Sequence, residues 1–371
     1  MIEHGFTSRI LQILESHFQN QGEARFHSSE LLQYLNIKTK AANKGSKSRA
    51  SFGNIYAIYV LIEDYLNHGF QLNNTYPAYE GAQYSYLMRR QRQLPFGSKL
   101  QNHALNHRLN QEFKRYFPTS PFTPILRDKE TRRYWFNEGL LTFQVNTSDI
   151  NIAESVKEII EAYVETRQDS FKKFLEDCQK IIQISENDIS EAANFIQELL
   201  KPNVDARIFE IVSYAILKEY YAEQVIYWGW SLDAILPESL QLYKTGRTNA
   251  NDGGIDFVMK PLGKFFQVTE TIDIDKIFLD IDKVQKYPIT FFIKTHESID
   301  RVREIIQEKA MEKYSITKIV ERYMEAVEEV INIPTLLDYF QVLLKNDKGS
   351  TVIQEIDSQS RLEFDLDRFN S

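Results

Sequence analysis

The sequence contains one cysteine, Cys178, in 371 residues. A single thiol excludes an internal disulfide and any zinc site that needs several thiolates, and it fits a reducing compartment. The amino terminus has no basic segment followed by an apolar one, and no stretch approaches the roughly 18 apolar residues of a membrane span. We therefore expect a cytosolic protein that is neither secreted nor inserted in a membrane.

The motifs of several enzyme classes are also absent. There is no Walker A sequence, no Gly-x-Gly-x-x-Gly loop and no His-Glu-x-x-His pair, which argues against an NTPase, a dinucleotide-dependent enzyme and a zincin. We therefore expect no nucleotide cofactor. Disorder is excluded because aromatic residues make up 13% of the chain and hydrophobic residues 43%.

The net charge of −8 conceals an uneven distribution of the two signs. Residues 1–150 contain 18 Lys and Arg against 12 Asp and Glu, a net charge of +6. The remaining 26 of the 44 basic and 40 of the 52 acidic residues lie in 151–371, which carries −14. Because a basic region is the usual electrostatic mark of nucleic-acid binding, the amino-terminal part is the candidate for contacting DNA.

Two basic islands, around 38–49 and 89–133, dominate this part and are interleaved with aromatic residues. Such a mixture can bind phosphates while the rings pack on sugars or bases. The alternative is an ordinary basic surface in contact with solvent. The residues predicted to bind DNA are Lys44, Lys47, Arg49, Arg89, Arg90, Arg92, Arg132 and Arg133.

Hydrophobic periodicity gives a coarse secondary structure. Helices are predicted at 6–19, 28–36, 52–66, 152–167, 169–184, 190–200, 205–222, 274–286, 297–314, 316–332 and 335–345. Strands are predicted at 224–230, 254–260, 264–271 and 289–295, with irregular structure and short strands over 72–150 and a polar tail from 346. The first helices form either a helix-turn-helix or an ordinary helical subdomain.

The segment 249–270 contains the most informative pattern. Pro261-Leu262-Gly263 predicts a tight turn between two antiparallel strands. Asp256 then lies in an apolar strand, where an ionised carboxylate is costly unless it is paired or binds a cation. Gln267 or Glu270 on the partner strand lies beside it, so the hairpin predicts a divalent metal site.

These residues, Gly253-Gly-Ile-Asp256 followed by Phe266-Gln267-Val-Thr-Glu270, resemble the PD-(D/E)xK nuclease core over roughly 204–296. Within that superfamily they are similar to type II restriction endonucleases, including those like ApaLI. The resemblance implies an α/β (α+β) fold with a mixed central sheet flanked by helices, and a largely helical or irregular DNA-binding part before it. It also implies Mg²⁺ held by Asp256 with Gln267 or Glu270, assisted by Glu210 on the preceding helix.

Two features depart from the motif. The motif has lysine two residues after the Glu or Gln, where this chain has Thr269 or Ile272, so Lys264, Lys276 and Lys294 are the candidate substitutes. A three-residue turn would also put Lys260 opposite Lys264, which favours Glu270, whereas the motif favours Gln267. A bulge would move the register by one residue, so both partners of Asp256 remain open.

The predicted domains are a DNA-binding region at 1–150, a helical connector at 151–203, the nuclease core at 204–296 and carboxyl-terminal helices at 297–371 that are a candidate dimerisation segment. The resemblance implies a bacterial enzyme that cleaves double-stranded DNA at a short specific sequence, as a homodimer because such sites are usually palindromic. The rival hypotheses are a DNA-binding protein on an inactive or non-restriction nuclease core, and a helical interaction protein. The acids between Asp273 and Asp282 are predicted to form the polar face of a helix.

Overall fold

A computed structural model describes residues 3–41, 47–71, 76–145, 148–185, 189–201, 204, 206–245 and 255–364. The chain divides into two compact units, Met1–Phe174 with Arg361–Ser371, and Leu175–Ser360. The fold is mixed α and β, as predicted. None of the helices in the described ranges combines the length and the apolar character that crossing a bilayer requires.

The first unit is mainly helical around an apolar core. Its helices are α1 (Thr7–Phe18), α2 (Gly22–Ser28), α3 (Glu30–Ala41), α4 (Lys47–Asn67), α5 (Tyr84–Gln93), α6 (Leu109–Tyr116) and the first part of α7 (Ala153–Ser185). Its strands are β1 (Ala82–Gln83), β2 (Ile125–Asp128), β3 (Arg133–Phe136), β4 (Thr142–Val145) and β5 (Ser148–Asn151). They form an antiparallel sheet in the order β1-β3-β2 and a separate β4–β5 pair.

The second unit continues with α8 (Ile189–Leu199), α9 (Ala206–Ala222), β6 (Val225–Trp228), β7 (Leu236–Ser239), β8 (Gln241–Lys244), β9 (Phe257–Lys260), β10 (Lys264–Thr269), α10 (Ile274–Lys283) and β11 (Ile289–Ile293). It ends with α11 (Ile299–Tyr314), α12 (Thr317–Ala326), β12 (Val327–Ile331), α13 (Ile333–Lys345) and α14 (Gly349–Phe364), whose last residues belong to the first unit.

A five-stranded mixed sheet in the order β12-β11-β10-β9-β8 is the centre of the second unit. Strands β8, β9 and β10 are antiparallel, whereas α10 connects β10 to the parallel β11, and β12 also runs parallel to β11. On one face the rings of Phe257, Phe266 and Phe292 contact one another and the tyrosines of α9. On the other face α10, α11 and α12 contribute to a separate apolar cluster.

Several predicted boundaries are wrong. The helices at 152–167 and 169–184 are the single helix α7, because neither Gly nor Pro lies between them to break it. The predicted helix 316–332 ends at Ala326, where Val327–Ile331 instead pairs with β11 and buries its β-branched side chains. The polar tail contains α14, which buries Val352, Ile353 and Ile356 along one face.

Phe292 tests the importance of the aromatic contacts to the sheet. It is fully buried against Phe257 and Phe266, so we expect Phe292→Ala to lower the free energy of unfolding by about 3–5 kcal/mol. Urea denaturation would measure this loss. The control is the exposed Leu262, whose replacement by Ala should change stability by less than about 0.5 kcal/mol.

Candidate metal and phosphodiester site

The register of the β9–β10 hairpin is shifted by one residue from the register that a three-residue turn would give. Lys264 is opposite Met259 and not Lys260. On the other side of β9, Lys260 is opposite Gln241 of β8. The turn therefore contains the four residues 260–263, and the Gly263 N–H donates to the Met259 carbonyl at 2.8 Å. Gly263 has a φ of +67°, the left-handed conformation that glycine adopts without strain.

This register brings Asp256 beside Gln267. Phe257 is opposite Phe266, and Asp256 immediately precedes that pair. The Asp256 N–H donates to the Phe266 carbonyl at 3.1 Å, and its Oδ2 accepts the Val268 N–H at 2.7 Å. Because these two hydrogen bonds flank Gln267 on its strand, the geometry favours Gln267 over Glu270 as the partner of Asp256.

Gln267 is a buried amide that lacks a partner for its oxygen. The residue is 5% exposed and pairs in register with Phe291 of β11. Its Oε1 accepts no hydrogen bond from any residue that the structure describes. Because an unsatisfied buried acceptor costs about 1–3 kcal/mol, this oxygen is a good candidate for a ligand-binding atom.

The carboxyl group of Asp256 is difficult to ionise. Burial raises its pKa to about 7, and the negative charges of Glu210 and then Asp280 add to the effect. The Val268 N–H and the positive charge of Lys276 act in the opposite direction. Asp256, directly before β9, thus interacts with a backbone N–H of β10 and with charged side chains of α9 and α10.

Glu210 comes from α9, and its negative charge helps to raise the pKa of Asp256. Its Oε1 lies 3.4 Å from the ammonium of Lys244 on β8. Glu210 is partly buried, because the residues around it, Phe209, Ile211 and Val212, are in the core. Helix α9 therefore directs the Glu210 carboxylate toward the sheet, where it is only partly exposed to solvent.

Asp280 was missed by sequence reasoning. The prediction of a solvated polar face is wrong for this residue, which is 2% exposed and paired with Lys283 at 2.8 Å. Its spacing provided a usable indication, because Asp280 follows the buried Ile277 by three residues and Lys276 by four. Asp282 is exposed, as predicted, but accepts the Tyr323 hydroxyl at 2.8 Å.

The structure separates the candidate lysines. Lys276 is exposed at the start of α10 and lowers the pKa of Asp256 by its charge. Lys264 is at the opposite end of β10, roughly 10 Å along the strand from Gln267, and its ammonium lies 2.9 Å from Glu329 of β12. Lys276 is therefore the substitute that the geometry favours.

Lys294 has a different environment. Its side chain is 4% exposed, donates to the Val204 carbonyl at 3.0 Å and lies 3.7 Å from Glu270 Oε1. This ion pair connects the ends of the parallel strands β10 and β11. At the motif position itself, the Thr269 hydroxyl donates to the Thr271 carbonyl at 2.9 Å.

The candidate DNA-binding arginines fall into two groups. Arg89, Arg92 and Arg132 are exposed residues of the first unit, although Arg92 also donates to the Leu100 carbonyl. Arg90 and Arg133 are partly buried and bonded within that unit. Arg90 makes two hydrogen bonds of 2.7 Å to the carboxylate of Glu63, and Arg133 donates to the Gly81 carbonyl at 2.7 Å.

Of the first basic island, Lys44 and the side chains of Lys47 and Arg49 lie outside the described residues.

The aromatic residues of the second island mostly pack inward. Phe96 contacts Phe52 and Phe171, and Tyr134 contacts Tyr84. Tyr86 and Tyr116 are the exposed rings in this group that remain open to a ligand.

The donor set fits a hard divalent cation when the amide is counted. Across the described ranges, no group of three or more His, Cys, Asp or Glu is arranged to bind a metal ion. Asp256 and Glu210, however, provide two carboxylates that repel each other. The Gln267 oxygen, which accepts no hydrogen bond from the described residues, is a third oxygen ligand. Oxygen ligands of this kind are those that Mg²⁺ prefers.

Comparison of the chain with protein-family models, with curated proteins and with solved structures finds no match.

The pKa of Asp256 predicts a pH-dependent stability. Because this pKa is raised in the folded state, folding favours the protonated acid, and stability falls as the pH rises from about 4 to about 7. We expect Asp256→Asn, which keeps an acceptor for Val268, to melt above the wild type at pH 8 in EDTA. Near pH 4 the two should melt together.

The control for this experiment is Asp338→Asn, which removes an exposed acid from α13. It should show no such crossover between the two pH values. An Asp256→Asn protein that is less stable than the wild type at pH 8 would contradict the electrostatic account of the site.

Proposed function

We propose that this chain is a Mg²⁺-dependent endonuclease that cleaves double-stranded DNA with a PD-(D/E)xK-like core. The observation that carries the proposal is that Asp256 is hydrogen-bonded to the β10 residues on either side of Gln267, and that the charge of a second acid, Glu210 of the preceding helix, acts on it. An acid at this position, a neighbouring Glu or Gln and a helix acid are the features that the resemblance implies for metal binding.

The order of elements supports this proposal. Helix α9, strands β9 and β10, helix α10 and strand β11 follow one another in the order expected from the resemblance, and β8 extends the sheet beyond β9. The antiparallel pair followed by a crossover to a parallel strand brings α9 and α10 to the strands that carry the acids.

Asp256, Glu210 and Gln267 would hold the cation. Bound there, Mg²⁺ would lower the pKa of a bound water and offset the charge that develops on the phosphate. The two carboxylates are brought together before any ligand binds, although their repulsion opposes the ionised form of Asp256. The Val268 N–H fixes Oδ2 of Asp256 and so limits the orientations of the carboxylate.

Lys276 would complete the site from α10. Its ammonium acts on Asp256 electrostatically and is exposed, so it can also reach a phosphate oxygen or an attacking water. A lysine in this position would stabilise negative charge during cleavage, the role of the lysine missing at Thr269.

DNA binding would fall to the basic amino-terminal region, whose exposed Arg89, Arg92 and Arg132 can contact phosphates or guanine edges. The resemblance to restriction enzymes further implies cleavage at a short specific sequence in a bacterial cytosol. A palindromic site would be read by two copies of the chain related by a two-fold axis.

A second candidate function is DNA binding without cleavage. The observation in its favour is Thr269, whose hydroxyl is bonded to the backbone at the position where the motif has lysine. Under this reading the acids of the core would be remnants, and DNA binding would persist unchanged when Mg²⁺ is removed.

Cleavage of a long mixed-sequence DNA tests the choice between these functions. The wild type should give discrete fragments with Mg²⁺ and none with EDTA. Asp256→Asn and Gln267→Met, which preserve the size of each side chain, should each lower the rate by at least about 100-fold because each removes a metal ligand. Lys276→Ala should lower it by about 10-fold or more.

The matched controls are Glu270→Gln and Lys264→Ala, which alter the other candidates, and both should cut at near the wild-type rate. Undiminished cutting by Asp256→Asn would refute the site. Because that substitution is expected to stabilise the fold at neutral pH, lost activity could not be attributed to unfolding.

A further inference from the structure

The β2–β3 hairpin of the first unit ends in an exposed turn. Asp128 is opposite Arg133, so the turn consists of the four residues 129–132, Lys-Glu-Thr-Arg, which we call the basic turn. All four are exposed to solvent, whereas Ile125 and Phe136 at the other end of the hairpin lie in the apolar core of the unit. The hairpin therefore projects from the core and presents the basic turn to solvent.

Asp128 fixes the conformation of the basic turn. Its Oδ1 accepts the Glu130 N–H at 2.9 Å, and its Oδ2 accepts the Thr131 hydroxyl at 2.8 Å. These hydrogen bonds lower the pKa of the Asp128 carboxyl, so the turn is closed by an ionised carboxylate. The acid is thus used within the turn itself.

The two strands of the hairpin are also held in place. Arg127 and Tyr134 are opposite each other, and both donate to Asn106, the arginine to its carbonyl and the tyrosine hydroxyl to its Oδ1 at 3.2 Å. Arg133 donates to the Gly81 carbonyl at 2.7 Å. Because the hairpin is ordered before a ligand arrives, binding there costs little conformational entropy.

Arg132 has a backbone conformation that is uncommon for arginine. Its φ of +56° is left-handed, a region in which glycine and asparagine are the usual residues. Its carbonyl accepts the Tyr84 N–H at 3.1 Å, which holds the backbone in this position. Residues kept in such a conformation are concentrated at functional sites. The arginine at this position therefore points to a role for its side chain.

The charge of the hairpin indicates the chemistry of its ligand. Residues 127–133 contain four basic and two acidic residues, a net charge of +2. Arg127 and Arg133 are bonded within the unit, whereas Lys129 and Arg132 form no ion pair with any residue that the structure describes. Exposed cations of this kind suit the phosphates and guanine edges of DNA.

The shape of the hairpin is that of a groove-binding element. Its two strands lie about 4.8 Å apart, and a two-stranded ribbon fits the major groove of B-DNA, which is about 12 Å wide. The arginine fork matches O6 and N7 of guanine. We propose that the basic turn enters the major groove, where Arg132 reads a guanine and Lys129 contacts a phosphate. This inference rests on the proposed function, because it names the element that recognises the DNA substrate.

Selection of bound duplexes from a random-sequence pool, in EDTA to prevent cleavage, tests the proposal. The wild type should enrich sequences that share a fixed guanine. Arg132→Gly should remove this preference and lower the affinity for the selected duplex about 5- to 150-fold. Because glycine adopts the left-handed conformation without strain, this variant should melt no lower than the wild type.

Two further variants separate base reading from phosphate contact. Arg132→Lys keeps the charge but loses the fork, so it should lose the guanine preference and still bind unrelated duplexes. Lys129→Ala should weaken binding to all sequences alike and reduce the slope of log affinity against log salt by about one. The matched control is Arg322→Lys, an exposed arginine of α12, which should change neither quantity.

An unchanged guanine preference in Arg132→Gly would overturn the assignment. A wild-type chain that binds no duplex, or that binds all sequences equally, would overturn it as well. A chain that selects guanine through Arg132 but cuts no DNA with Mg²⁺ would support the basic turn and refute the proposed cleavage, so the two failures are distinguishable.

Discussion

The candidate site depends on one carboxyl group, that of Asp256, which the fold keeps close to a second acid. Burial and Glu210 oppose its ionisation, while the Val268 N–H and Lys276 favour it, and the balance raises its pKa to about 7. Such an arrangement lowers stability at neutral pH. Groups kept in this state are concentrated at functional sites, where a ligand compensates for the unfavourable charge.

The Oε1 of Gln267, which accepts no hydrogen bond from the described residues, adds a second unfavourable feature close to Asp256. The position of Gln267 follows from the hairpin register, because the four-residue turn brings this part of β10 next to Asp256. Glu270 instead pairs with Lys294. A partly buried carboxylate whose ionisation is opposed and a buried oxygen that lacks a hydrogen-bond donor among the described residues thus occur on neighbouring strands. One divalent cation would compensate for both, which is why we propose that the site binds Mg²⁺.

Sequence reasoning reached Asp256, its two possible partners and the order of the surrounding elements, because an acid in an apolar strand and a Pro-Leu-Gly turn are local patterns. The register stays open at the level of sequence, because the Pro-Leu-Gly segment fits a turn of three residues or of four. Strand β8, on the other side of β9, is not revealed by the sequence either. The roles of Lys276 and Asp280 depend on how α10 packs against the sheet. The sequence pattern predicts helix where β12 forms, because pairing with β11, which is remote in sequence, determines the structure of this segment.

Calorimetric titration of Mg²⁺ into the metal-free chain, without DNA, would show whether the Asp256 site binds a cation. We expect one binding event that is abolished in Asp256→Asn, weakened in Gln267→Met and retained in Glu270→Gln. Binding of equal strength in the wild type and in Asp256→Asn, or no binding to the wild type, would contradict this expectation.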